Sequence, residues 1–240
     1  MNKNLWDQKA KTYGKFSKNL SEFQIKFFEI LDNFDIKFEN KTIVDIGCGT
    51  GIYSLYLANF CKNILGVDSS KEMLKEFENS AKKYNITNTK TILSNFANFK
   101  SDEKFDIAFL TMSPALQNES DFAKFINLAN LRIYMNWEKQ RNSTLLNPFF
   151  EKYKKSENEP IVFKLERFLK NQNIPFKTQI LNEVRHSKRT LNEAFENVKW
   201  HLSFIAKNID EQAILNDLNK QIKDGFIDDE VEIFVKIIVF

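Results

Sequence analysis

The residues best suited to chemistry are the acid and glycines of Thr42-Ile43-Val44-Asp45-Ile46-Gly47-Cys48-Gly49-Thr50-Gly51-Ile52. An apolar, β-branched run enters three glycines and then a helical pattern, so the backbone turns sharply where small residues let a ligand come close. A nucleotide-like ligand fits such a segment. A dinucleotide fingerprint, GxGxxG, beginning at Gly47 and Gly49 requires glycine at position 52, which is Ile52; the third glycine is Gly51 instead. Asp45, two positions before the first glycine, also sets negative charge where a pyrophosphate would lie. A ligand with a cationic amino group and no phosphate matches these residues better.

A second carboxylate is spaced to serve the same ligand. Asp68 ends the next apolar run, 17 residues after Gly51, in Gly66-Val67-Asp68-Ser69-Ser70-Lys71-Glu72-Met73-Leu74. A carboxylate at the end of a second strand can accept both hydrogen bonds of a ribose diol. Charge-assisted bonds of this kind are roughly twice as strong as neutral ones.

VDIGCGTG followed by GVDSSKEML resembles motifs I and II of the class I S-adenosylmethionine-dependent methyltransferases, over roughly Lys41 to Trp137. The resemblance implies S-adenosylmethionine as cofactor and methyl transfer to a small-molecule acceptor. It sets Asp45 and the loop residues Gly47, Cys48, Gly49 and Gly51 against the amino acid part of the cofactor, and Asp68 on the ribose hydroxyls. Ser69 and Met73 should border the adenine, and Leu110 to Ser113, with Thr111 among them, should close the methionine end. One position departs from the family pattern: Ser94-Asn95-Phe96 stands where Gly-Asp-Ala is frequent. Asn95 can still accept the adenine amino group through its carbonyl oxygen, with Phe96 beside it; the alternative is a turn-forming Asn. Trp6-Asp7, Ala10 and Tyr13 resemble a WDxxAxxY segment that folds over the cofactor, the alternative being an amphipathic surface helix.

Other residues have plainer readings. Met112-Ser113-Pro114-Ala115-Leu116 lacks the second proline and the aromatic of an Asx-Pro-Pro-aromatic amine clamp, so Pro114 reads as shaping a bend. Cys48 and Cys61 form neither a CxxC pair nor a metal-ligand spacing, and no metal is expected. His186 and His201 are the only imidazoles, each either a base or an ordinary polar residue. Tyr134, Trp137 and Glu138 either shape an acceptor pocket or pack in the core. No residue is singled out as catalytic: transfer from a sulfonium can run on positioning alone.

The elements that must position these residues alternate. Strands are expected at Lys41 to Ile46, Asn63 to Asp68, Thr89 to Asn95, Phe105 to Met112, Leu131 to Trp137, Phe176 to Val184 and Val231 to Phe240. Helical spacing separates them: Leu20 to Phe34, Ile52 to Phe60, a helix over Ser70 to Lys83 opened by a Ser69/Glu72 capping box, one after Ser120 and one after Pro160. A Thr190/Glu193 capping box and Asp210 open two more helices, the latter running to Gly225. Strands separated by helices imply βαβ crossovers. With the resemblance, the expected fold is α/β, a Rossmann-like doubly wound, seven-stranded, mostly parallel sheet with an antiparallel last strand. The chain reads as one domain, 1–240: an N-terminal helical lid over 1–40, a cofactor-binding core over 41–137, and an acceptor-side half over 138–240 with a helical insertion at 188–225. Acceptor identity should reside in the lid, in 138–159 and in that insertion.

Composition bounds the partners. Among 240 residues, 35 Lys+Arg against 32 Asp+Glu leave a net charge of +3, without the basic excess of a protein that grips a phosphate backbone. This weighs against an RNA substrate and toward a small acceptor; a tRNA or rRNA methyltransferase and a non-catalytic cofactor-binding protein remain the alternatives. No apolar run is long enough for a secretory signal or a spanning helix, so no membrane partner is expected. Two cysteines suit a reduced, cytoplasmic protein. The 24 phenylalanines fall on expected core stripes. Oligomeric state is left open.

Overall fold

The computed structural model of the protein describes residues 3–155 and 158–240; residues 1–2 of the expected lid and 156–157 of the segment 138–159 lie outside the described residues. The elements run α1 (Lys3–Lys9), α2 (Glu22–Asn33), β1 (Thr42–Ile46), α3 (Ser54–Leu57), β2 (Asn63–Asp68), α4 (Lys71–Lys83), β3 (Thr89–Leu93), β4 (Phe105–Thr111), α5 (Glu119–Leu128) and β5 (Ala129–Trp137). They continue with β6 (Asn142–Ser143), α6 (Asn147–Lys152), α7 (Ile161–Asn171), β7 (Lys177–Arg189), α8 (Leu191–Leu202), α9 (Glu211–Asn219) and β8 (Ile227–Val239).

The chain divides into two compact units. The first comprises 1–138, 161–181 and 236–240, the second 139–160 and 182–235. The sheet order is β3-β2-β1-β4-β5-β8-β6, with β7 pairing β8. In the first unit β3, β2, β1, β4 and β5 are parallel. Arg132 and Phe240 exchange both backbone hydrogen bonds, the signature of an antiparallel pair between β5 and β8. This is the expected Rossmann-like architecture, with helices on both faces of a mostly parallel sheet.

Strand alternation shares residues between the two faces. Val44, Ile46, Ala108 and Leu110 pack with Phe122 and Phe125 of α5 and with Val162, Leu165 and Leu169 of α7. On the other face the Phe109 ring meets Phe27 of α2 at 6.0 Å and Tyr53 at 5.9 Å. The second unit has its own core, in which Leu145, Phe149 and Phe150 pack against Phe195, Val198 and Leu202 of α8 and Ile214 and Leu218 of α9.

Several boundaries differ from expectation. The described residues contain eight strands rather than seven, because Asn142–Ser143 pairs antiparallel with Glu232 and Val231; two polar residues carry no strand periodicity to read. β7 continues to Arg189 and β8 begins at Ile227, since cross-strand pairing sustains polar stretches that look like loops. Ser70, not Ser69, caps α4: its hydroxyl accepts the Met73 N–H at 3.2 Å. The Thr190/Glu193 box and the Asp210 cap form as read. The helix opened by Asp210 ends at Asn219 rather than Gly225, and residues 223–226 turn tightly, with Gly225 at φ +82°. No helix among the described residues is long and apolar enough to cross a membrane.

Candidate functional site

The glycine loop sits where β1 ends. Gly47, Gly49 and Gly51 have φ of +70°, +55° and +80°, a region that L side chains rarely adopt. The loop is also sterically closed at two of the three. A Cβ on Gly47 would lie 2.5 Å from Ser113 Cβ, and one on Gly51 would lie 2.4 Å from the Phe77 ring. Gly49 faces open space, as a cradle for an external ligand must. Gly51→Ala is therefore expected to destabilise the fold by about 2 kcal/mol or more, from backbone strain plus overpacking against buried Phe77. Urea unfolding with an unchanged m-value measures this; a loss below a few tenths of a kcal/mol contradicts it.

Asp45 is buried at the end of β1. Its Oδ2 accepts the Ser54 hydroxyl from α3, while its Oδ1 is closed off from solvent with no hydrogen-bond partner among the described residues. Burial raises the carboxyl to about 7, the Ser54 bond opposes the rise and the Asp68 charge adds to it. A buried acceptor left unsatisfied is costly, which makes it a marker for a ligand that would satisfy it.

Asp68 stands across the loop. Its Oδ2 accepts the Gly49 N–H at 2.9 Å and its Oδ1 the Ser70 N–H at 2.8 Å. Each oxygen keeps a second lone pair, so the carboxylate is locked in orientation and can still bind a diol. Burial raises its pKa, the N–H bonds counteract this and the Asp7 charge adds to it. Tyr13 lies close enough for Asp68 to raise its phenol, after the larger effect of burial.

The amino-terminal segment is tied to this site. Thr50 Oγ1 donates to the Gly14 carbonyl at 2.6 Å. Asp7 Oδ1 accepts the Ser70 hydroxyl at 2.6 Å and the Glu72 N–H at 3.2 Å, so α1 completes the cap of α4. The Trp6 and Tyr13 rings meet edge-on at 6.1 Å. The cap that Asp7 supplies, the Ser54 and Thr50 hydrogen bonds and the Ser113 contact with Gly47 were not read from the sequence. Each acts on a partner 9 to 66 positions away, a separation without local pattern.

The remaining residues fall in different places. Cys48 is buried beneath the loop, its thiol pushed well up by burial and by the charges of Asp45 and Asp68, which makes it an inert filler. The Ser69 backbone lies close enough to Asp68 to help lower its carboxyl, and the Met73 side chain is buried. Asn95 is exposed, and its Oδ1 accepts the Asn98 N–H at 2.8 Å, so it forms a turn while keeping one lone pair on that oxygen. The Phe96 ring packs in the core, with the Lys124 ammonium 4.8 Å from its centroid. Thr111 ends β4, and Met112 beyond it takes φ +53°.

Tyr134 is fully buried, and its hydroxyl accepts Asn136 Nδ2 at 3.0 Å; that amide also donates to the Ser113 carbonyl at 3.0 Å. Tyr134 is thus core, bracing the loop from behind rather than lining a pocket. Both histidines belong to the second unit: His186 Nδ1 lies 3.4 Å from Glu230 Oε2, and His201 meets Phe150 and Trp200 edge-on. No cluster of three or more His, Cys, Asp or Glu among the described residues is arranged to hold a metal ion.

Residues 43–130 match the family described as Methyltransferase domain. (S)-Coclaurine N-methyltransferase of Papaver somniferum is 31% identical over 105 residues, 42% of this chain and 30% of that protein. A 23S rRNA (uracil(1939)-C(5))-methyltransferase of Francisella tularensis is 33% identical over 69 residues, 28% of this chain and 15% of that protein. The matches thus span less than a third of these relatives' own lengths. A crystal structure of coclaurine N-methyltransferase bound to N-methylheliamine and SAH superposes with a TM-score of 0.54 at 13% identity, covering 95% of this chain and 77% of that one, a likeness of fold. The matched segment holds the VDIGCGTG loop and the acidic ends of β1 and β2, so residues 43–130 are similar to the methyltransferase domain family in both sequence pattern and strand order.

Proposed function

We propose that the chain binds S-adenosylmethionine at the glycine loop and transfers its methyl group to a nucleophilic O, N, S or C atom of a small organic acceptor. The observation that carries this reading is the buried, unpartnered Oδ1 of Asp45 beside a loop that glycine alone can form. An ammonium group is the ligand such an oxygen lacks, and its arrival favours the charged carboxylate. Asp68, with both oxygens still able to accept, would hold the ribose hydroxyls. Gly47, Cys48, Gly49 and Gly51 would give backbone contact with the amino acid part. Ser69 and Met73 would flank the adenine, Asn95 would accept its amino group, and Tyr13 would cover the nucleoside from the amino-terminal segment. The Phe96 ring is committed to the core, which leaves its main chain for that role. Thr111 would close the methionine end.

Bound there, S-adenosylmethionine supplies an electrophilic methyl group on a sulfonium, a leaving group that needs no acid. The protein's own work is then to orient and exclude water, which accounts for a site without an evident base. Residues 1–240 act as one domain in this reading, since the second unit is two segments that interrupt the chain of the first and cannot be excised as one piece. Its unpaired cysteines suit a reduced, cytoplasmic setting. The near-balanced charge and the match to an N-methyltransferase of small molecules support a small acceptor over RNA.

Titration calorimetry with S-adenosylmethionine and with NAD tests the cofactor: binding of the first alone is expected, and binding of NAD alone overturns the reading. Methyl-labelled cofactor, incubated separately with a metabolite extract and with total RNA, tests the acceptor. Label is expected in low-molecular-weight products, and label in RNA alone overturns that acceptor class.

A further inference from the structure

The second unit contains a charge cluster that the glycine-loop site does not use. Asp229 on β8 is 1% exposed. Its Oδ1 accepts the Ser143 hydroxyl of β6 at 2.7 Å and the Leu145 N–H at 3.4 Å, and its Oδ2 accepts Arg189 Nε of β7 at 3.3 Å. β6 and β7 both pair with β8, and along β7 alternation puts Arg185 and Ser187 on the face of Arg189; Arg141 directly precedes β6 and lies within reach of the charges of Asp229, Arg189 and Arg185. Ser187 Oγ reaches the Asp229 carbonyl at 3.5 Å, in keeping with that register.

Arg141 lacks a partner here. Its Nε is closed off from solvent with no hydrogen-bond acceptor, and its guanidinium makes no hydrogen bond or ion pair among the described residues. Asp229, the carboxylate that attracts Arg141, already holds Arg189 and Ser143. Lys155 adds another cation, its ammonium 3.9 Å from the Phe150 ring centroid. Burial lowers the Arg141 pKa; Asp229 opposes this, and the charges of Arg189 and Arg185 add to it. Lys155 is lowered by burial and by Arg141. A guanidinium does not shed its proton in a protein, so its charge here lacks a counterion of matching geometry.

We propose that Arg141, with Arg189 and Lys155 beside it, forms a subsite in the second unit for a compact oxyanion, the carboxylate or phosphate of a small molecule. The planar fork of Arg141 suits bidentate binding of either group. Its recession favours a terminal oxyanion over a nucleic acid backbone, which freely exposed lysines and arginines would track.

The test uses the full chain, with inorganic phosphate and malonate as probes in thermal melting and calorimetry. Arg141→Met keeps the aliphatic stem without the charge, and Arg141→Lys keeps the charge without the fork. Both probes are expected to raise the melting temperature of the parent protein, with affinity falling about tenfold or more in Arg141→Met and less in Arg141→Lys. Without anions Arg141→Met should melt no lower than the parent, because no internal partner is lost. S-adenosylhomocysteine affinity should be equal in all three proteins, which separates failure of this subsite from failure of the cofactor reading. Equal anion response in parent and Arg141→Met, or destabilisation of that variant without anions, overturns the proposal. So does binding of a single-stranded RNA that Arg141→Met abolishes while neither small anion binds. Anion-exchange fractionation of the labelled products then distinguishes sources: retained label assigns the oxyanion to the methyl acceptor, and label only in the unretained fraction assigns it to a separate small ligand.

Discussion

Asp45→Asn is expected to make the ligand-free protein more stable above pH ~7 and nearly unable to bind S-adenosylmethionine. The folded carboxyl titrates at about 7, well above its unfolded value near 3.8. Between those values the native state holds a proton that the unfolded state has lost, so stability falls as pH rises through this window, and the penalty is complete above the folded value. A shift of this size corresponds to about 4 kcal/mol. Part of it returns in the variant, whose amide group stands unpartnered where Oδ1 was, so the net gain is on the order of 2 kcal/mol. The same carboxylate should make cofactor affinity pH-dependent. Below the folded value an ammonium ligand must displace the proton, so affinity falls about tenfold per pH unit. Above about 8 the ligand's own α-amino group loses its charge and affinity falls again. Urea melts at two pH values and a calorimetric pH series check both parts. A variant that loses stability at high pH, or parent affinity that is flat from pH ~5.5 to ~7, contradicts the assignment.

Asp68→Ala is expected to weaken S-adenosylhomocysteine binding by about 100-fold, or about 3 kcal/mol, if two charge-assisted bonds to the ribose diol are lost. It also frees the Gly49 and Ser70 N–H groups, so some loss of stability should accompany it. Asp68→Asn separates the effects. Its amide oxygen still accepts one of the two backbone N–H groups, while its NH2 can only donate, so binding should suffer more than stability. Calorimetry alongside thermal melting distinguishes the outcomes: unchanged affinity in both variants would remove Asp68 from the site, and equal losses of stability in both would make its role structural.

What could be read from the chain was local. Gly47, Gly49 and Gly51 were legible because strand-to-loop-to-helix geometry at positive φ is a demand on residue type at fixed spacing. Asp45 and Asp68 were legible because both end buried apolar strands, and the Thr190 and Asp210 caps because side chain and target lie three residues apart. Ser69 was misread as a cap because Ser69 and Ser70 are chemically alike, and the choice rests on which hydroxyl Asp7, 63 positions from Ser70, bonds. β6 and the polar extension of β7 escaped notice because their stability comes from pairing with β8, not from their own apolar period.

The sequence by itself determined the doubly wound architecture, the glycine cradle and the two carboxylates that face it, because each follows from residue type at short range. Only the tertiary structure decided which oxygen of Asp45 stays unsatisfied, that Tyr134 and Phe96 are core, that Asp7 and Thr50 bind the amino-terminal segment to the site, and that Arg141 makes no hydrogen bond or ion pair among the described residues. The physical reason is common to all four. Burial and hydrogen-bond satisfaction depend on what the rest of the chain brings to a position, and that is set by contacts many residues apart.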